Sequence, residues 1–186
     1  MFRLMIHRWF SPGRKYNEFL KALLDGDVES MNKYMNEVSY AVFSTFDTGK
    51  KPSGKAAPEK FYHGFVLGLM VDLRNRYVIA SNRESGYGRY DVMLKPKEGG
   101  LPAIILEFKV HDPADGGDLD TTVLTALKQI EDKKYTAAFV AEGIREEHIR
   151  EYGFAFEGKT VRIGGGDLKK VDSMIKAVGR LPEKQQ

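Results

Sequence analysis

Apolar residues recur every three or four positions through "KYNEFLKALL" (residues 15–24), which puts Tyr16, Phe19, Leu20, Leu23 and Leu24 on one face and predicts an amphipathic helix. "DGD" interrupts the pattern, and Asp27 is a fitting N-cap for a second helix running to Phe46, with Met31, Tyr34, Met35, Val38, Val42 and Phe43 as its apolar positions. Residues 47–60 have the Gly, Pro and Lys content of an exposed connection. "PEKFYHGFVLGLMVDL" (58–73) starts on a proline suited to a first helical turn and is then apolar almost all round, the mark of a buried helix. The period next shortens to that of strands: 76–88 running into a turn, then 89–95 and 102–110. After the acidic loop "HDPADGGD", Asp118 or Asp120 caps a helix over about 119–134, with Val123, Leu127 and Ile130 as its inner stripe. Residues 136–142 fit a helix or a strand. "YGFAFEGKTVRIGGG" (152–166) reads as a hairpin turning at "EGK", and "DLKKVDSMIKAVGRL" is weakly helical. Helices, a three-strand meander, a helix and more strand predict a mixed α/β domain, not a doubly wound one.

Composition narrows the chemistry. A chain of 186 residues, 42% hydrophobic and 30% charged, suits one folded domain with a sizeable core. It has no cysteine, which excludes disulfides, thiol catalysis and thiolate metal sites and fits a cytoplasmic setting. The net charge of +3 permits a polyanionic partner without demanding one. No apolar run approaches the ~18–20 residues that span a bilayer, so no membrane partner is expected. "MFRLMIHRWFSPG" carries Arg3, His7 and Arg8 and does not read as a signal peptide. Its apolar residues need a surface to pack on, and a homodimer contact is one such surface.

The charges that demand an explanation lie in "GRYDVMLKPKEGGLPAIILEFKV" (88–110). Folding the chain back at Gly99 sets Pro96 against Pro102 and Asp91 against Glu107. Opposite residues of an antiparallel pair share a face, and Lys109, two along from Glu107, shares it too. Two carboxylates this close repel unless one is protonated or a cation lies between them. A hard divalent cation suits such oxygen ligands, and with a lysine alongside the set fits phosphodiester hydrolysis. The same charges also fit a solvated strand end with a surface ion pair. The apolar run "AIILEFK" favours a central, covered strand.

Asp91 followed by Glu107-Phe108-Lys109 resembles the core signature of the PD-(D/E)XK nuclease superfamily. The segments "EKFYHGFVLGLMVDL", "SNRESGYGRYDVML", "AIILEFKV", "ALKQIEDKKY" and "YGFAFEGKTV" are similar, in order, to the nuclease-like domain found C-terminal to AAA-ATPase-like domains in bacteria and archaea, over roughly residues 15–163. The resemblance implies a restriction-endonuclease-like core: a small mixed sheet with a central hairpin, flanked by helices. It divides the one domain into an N-terminal helical part (1–57), a catalytic core (58–163) and a C-terminal tail (164–186).

It also implies roles. Asp91, Glu107 and the backbone carbonyl of Phe108 would bind Mg²⁺ or Mn²⁺, and Lys109 would position water or stabilise the transition state. Tyr90 stands where the superfamily's name has proline, at a position that performs no chemistry. His63 matches a metal-binding histidine of recombination-type members, and equally fits a core histidine. Gln129, followed by Lys133 and Tyr135, resembles a glutamine motif after the catalytic lysine, which implies a catalytic role for Gln129 and nucleic-acid contacts for Lys133 and Tyr135; Tyr135 equally fits core packing. Arg83 and Arg89 flank a turn from which they could reach phosphate, and Glu84 beside them is a further acid for outer contacts. Lys50, Lys51, Lys55, Lys95, Lys133 and Lys134 would form a basic rim. The expected activity is metal-dependent hydrolysis of nucleic acid, DNA above all, with an ATPase domain as partner in longer relatives. The alternative is a module that binds nucleic acid or protein without turnover. The chain holds no GxxxxGK[ST] motif of its own.

Overall fold

The computed structural model describes residues 14–42, 56–81, 84–85, 88–89 and 91–178. Two helices come first: α1 (Arg14–Asp25) and α2 (Val28–Val42). Between them Gly26 takes φ +82°, a conformation that costs glycine little, and its amide returns to the Ala22 carbonyl. Asp27 caps α2 as expected, its carboxylate accepting from the Ser30 amide at 3.0 Å. The expected extension of α2 to Phe46 lies outside the described residues. Helix α3 (Ala56–Leu69) holds Pro58 in its first turn and passes into a 3₁₀ segment, Met70–Asn75.

The expected strand over 76–88 is shorter. Strand β1 is Tyr77–Ser81, and the chain then pairs with itself in a two-rung ladder of β2 (Glu84–Ser85) and β3 (Gly88–Arg89). Strands β4 (Val92–Pro96) and β5 (Ala103–Val110) form the central hairpin. Helices α4 (Leu119–Asp132) and α5 (Thr136–Ala141) follow, then β6 (Ile149–Glu157), β7 (Thr160–Asp167) and α6 (Leu168–Val178). Asp118, not Asp120, caps α4, accepting from the Thr121 amide at 2.8 Å. Residues 136–142, open between helix and strand, are helical through Ala141.

The five main strands run in the order β1-β4-β5-β6-β7. All neighbours are antiparallel except β5 and β6, which pair in parallel from Ala103↔Ile149 to Val110↔Phe156. A parallel pair needs a long crossover, and α4 and α5 supply it. Val92, Leu94, Ile104, Leu106, Phe108, Phe154 and Phe156 face α1, α2 and α3 in one core. Met93, Ala103, Ile105 and Ala155 face α4, α5 and α6 in the other. The strands β5 and β6 are thus covered on both sides, which is why they read as almost unbroken apolar runs. Strand β7 continues to Asp167 and α6 packs beside it, with Met174 over Gly164, so the sheet extends past residue 163.

At the outer edge of β7, α2 stands in for a strand. Asn32 accepts from the Ile163 amide and donates to the Ile163 carbonyl, each at 2.8 Å. Asn36 does the same for Val161, at 3.0 and 2.7 Å. Four residues of helix rise about 6 Å and two of strand about 6.8 Å, so side chains one helical turn apart can match alternate residues of a strand. No described helix is long and apolar enough to cross a membrane.

Candidate active site

The register expected from folding at Gly99 is the one observed: Val92↔Leu106, Met93↔Ile105 and Leu94↔Ile104. Asp91 lies in a bend one residue before β4, and its Oδ2 accepts from the Phe108 amide at 2.8 Å. Amide and carbonyl of one strand residue point to the same side, so the Phe108 carbonyl is turned toward Asp91 as well. The Phe108 ring goes to the opposite face, edge-on to Phe154 and His63.

Glu107 and Lys109 point to the α4 side of β5. Glu107 is only 2% exposed. Its Oε1 accepts from Gln129 Nε2 and meets Lys109 Nζ at 3.5 Å. Its Oε2 is buried and has no hydrogen-bond partner among the described residues. Burial, reinforced by the charge of Asp91, pushes the Glu107 carboxyl up to about 8, with Lys109 opposing. At neutral pH the carboxyl therefore holds a proton unless a cation takes its place. An orphaned buried oxygen costs on the order of 1–3 kcal/mol, so it is kept only where something else offsets it.

Gln129 reaches this carboxyl because α4 lies unusually close to the sheet. A Cβ on Gly153 would stand 2.7 Å from the Val123 carbonyl oxygen, and one on Gly164 would stand 2.7 Å from Val123 Cγ1. Only glycine at both positions lets α4 settle at this depth. Tyr135, fully buried just after α4, is hydrogen-bonded to Gln129; burial and the charge of Glu107 raise its phenol above the usual value of 10. Tyr135, Gln129 and Glu107 form one connected chain of polar groups.

The other expected residues take different places. His63 lies on α3 with its Nε2 3.0 Å from Ser81 Oγ and 3.2 Å from the Asp91 carbonyl, so it braces the bend that presents Asp91. Lys133 is exposed, one turn beyond Gln129, and Lys134 beside it is exposed too. Lys95 pairs with Glu142 across the sheet end. Arg83, Lys50, Lys51 and Lys55 lie outside the described residues, as do the side chains of Glu84 and Arg89. Among the described residues, no group of three or more His, Asp or Glu side chains is arranged to hold a metal ion. The donors at hand are Asp91, Glu107 and the backbone between their strands.

A family model described as the PD-(D/E)XK nuclease superfamily matches residues 57–165, more than half of the chain. The chain belongs to this superfamily. No curated protein and no solved structure matches it. The superfamily match opens at the start of α3 and closes within β7, so it takes in the hairpin, α4 and all five main strands but neither α1 and α2 nor α6. Sequence reasoning brought Asp91, Glu107, Lys109 and Gln129 to this place; Tyr135, expected to contact nucleic acid, is instead buried behind Gln129, the core packing that was its alternative. That reasoning missed the two glycines that seat α4, although one of them, Gly164, lies in "IGGG" at 163–166, a visible signal of close approach in a strand.

Proposed function

We propose that this protein is a metal-dependent nuclease that hydrolyses phosphodiester bonds of nucleic acid, DNA in the first instance, in the cytoplasm. The observation that carries the reading is the buried Glu107 Oε2 without a partner, beside a second carboxylate and a lysine. Such an oxygen set fits Mg²⁺ or Mn²⁺, which Asp91, Glu107 and the Phe108 carbonyl would hold. A divalent ion bound there supplies charge neutralisation and polarises a phosphoryl oxygen.

The chain's own groups have separable tasks. The Phe108 amide fixes the Asp91 carboxylate in orientation, and His63 fixes the bend behind it. Gln129 holds the Glu107 carboxyl in one rotamer, and Tyr135 holds Gln129. Lys109, with 28% of its side chain exposed, can donate to an incoming water or to phosphoryl oxygens that gain charge in the transition state. Lys133 and Lys134 would contribute sequence-independent, salt-sensitive contacts to the backbone of the polymer. An ATPase domain is the partner that would deliver it in longer relatives.

The test is cleavage of single- and double-stranded DNA and of RNA in Mg²⁺, Mn²⁺ and EDTA, with Lys109→Ala and Asp91→Ala alongside. Metal-dependent cutting by the wild type, lost in both variants, supports the nuclease and identifies its polymer. A wild type that cuts nothing, or variants that cut equally well, overturns it. One other reading is binding without turnover. Retention of a labelled oligonucleotide without cleavage in Mn²⁺ would select it.

A further inference from the structure

A second buried carboxyl, on the same face of the sheet, has no task in the chemistry above. Glu151 of β6 is 4% exposed and lies opposite Ile105 in the parallel ladder. Its Oε1 accepts from Thr136 Oγ1 at 2.5 Å, and Oε2 has no partner among the described residues. Burial holds this carboxyl above its usual range, and Glu131 adds to the effect.

Glu151 lies in the lining of a cleft of about 400 Å³ between α5 and α6. One wall is apolar, built from Val140, Val171 and Ile175, and Val140 is 43% exposed there. The charges around the cleft are Glu131, Glu146, Glu151 and Asp172 against the lone cation Lys134. Asp172 is paired with Lys176, whereas Glu131, Glu146 and Lys134 form no ion pair among the described residues. A buried acid at the end of an apolar, acidic-rimmed cleft matches a ligand with an aliphatic stem and a cationic head. A guanidinium gains most from a carboxylate by engaging both oxygens, and Thr136 already occupies one of these. A single free oxygen suits the point charge of an ammonium better.

We propose that this cleft receives a lysine side chain of a partner protein, with the stem along Val140, Val171 and Ile175 and the ammonium on Glu151 Oε2. The site is separate from the hairpin carboxylates, and its test does not involve cleavage.

The test follows the methyl signals of Val140, Val171 and Ile175 by NMR in the full-length protein. The titrants are n-butylammonium, n-butanol and n-butylguanidinium, and a pentapeptide carrying either lysine or norleucine between alanines. Butylammonium and the lysine peptide should shift these methyls saturably, with affinity in the millimolar range. Butanol and the norleucine peptide should bind at least tenfold more weakly, and butylguanidinium no better than butylammonium. Glu151→Gln should abolish the saturable shifts. Val140→Trp, at an exposed position where folding is not at stake, should block the mouth and do the same. No saturable shift, equal binding by butanol, or undiminished binding in both variants overturns the proposal. Binding of butylammonium but not of the lysine peptide overturns the protein partner and assigns the cleft to a free amine. Tighter binding of butylguanidinium overturns the choice of lysine.

Discussion

Glu107 and Glu151 are buried in the same face of the same sheet, on neighbouring strands, and each keeps one oxygen without a partner among the described residues. Their surroundings differ in kind. Glu107 has a second carboxylate pressing on it, a lysine two residues along and a backbone carbonyl turned toward the gap. That is a crowded, polar setting, and a small hard ion relieves it. Glu151 has a hydroxyl on one side and apolar walls beyond it. Glu131, Glu146 and Asp172 stand around the cleft, and an alkyl chain with a charged tip fits between them and the apolar wall. The contrast teaches that burial alone does not give a carboxylate its purpose; the neighbours that share its charge do.

The largest test of this contrast is catalytic. Glu107→Gln and Lys109→Ala should each lower single-turnover cleavage by about 10²-fold or more, since each removes a group that acts on developing charge. Gln129→Ala should cost less, because it loosens Glu107 without removing it. A Gln129 variant as damaged as the Glu107 variant would mean that the glutamine itself touches substrate.

A second test reads the proton. Both glutamates have folded values raised above their ordinary ones, so the folded state binds more protons than the unfolded state between those limits. Stability without metal must then fall as pH rises from 4.5 toward about 8, the window of Glu107. One such group contributes a slope of up to about 1.4 kcal/mol per pH unit. Urea melts across this range should show the decline, and Glu107→Gln should flatten its own share. Millimolar Mg²⁺ or Mn²⁺ at pH 8 should raise the midpoint of the wild type and of Glu151→Gln but not of Glu107→Gln. If both variants keep the metal response, the ion binds elsewhere.

Gly153→Ala probes the depth of α4. Its new methyl must displace the Val123 carbonyl, at a cost of about 1–3 kcal/mol. The same shift should weaken the Gln129 contact and slow cleavage, measured beside the thermal melt. The smallest expected effect is that of Arg162→Ala, which opens an exposed ion pair with Asp120 and should change stability by no more than about 1 kcal/mol.

The hairpin was legible in the sequence because its turn, "KEGGL", and its alternation fix the register together, and the register alone brings Asp91 to Glu107. The inner stripe of α4 was legible too: Val123, Leu127 and Ile130 are all buried. The parallel partnership of β5 with β6 was not, since no local pattern names a strand's neighbour across a long crossover. The opening of β6 was hidden as well. The hairpin pattern opens at Tyr152 in the sequence and leaves Arg150 and Glu151 outside it. Arg150 in fact donates to the Leu24 carbonyl at the end of α1, and Glu151 is buried beneath α5. Asn32 and Asn36 likewise lie off the apolar positions of their helix and carry no local signal of a partner. Their purpose exists only once β7 lies beside them.

That last pairing bears on where the working unit begins. A fragment cut at residue 57, where the superfamily match opens, would keep Asp91, Glu107, Lys109 and Gln129. It would also strip the amides and carbonyls of Val161 and Ile163 of the groups that now occupy them. A bare strand edge invites another strand, and such fragments would meet one another edge to edge. The first helices, in this light, close that edge from within the same chain as the site.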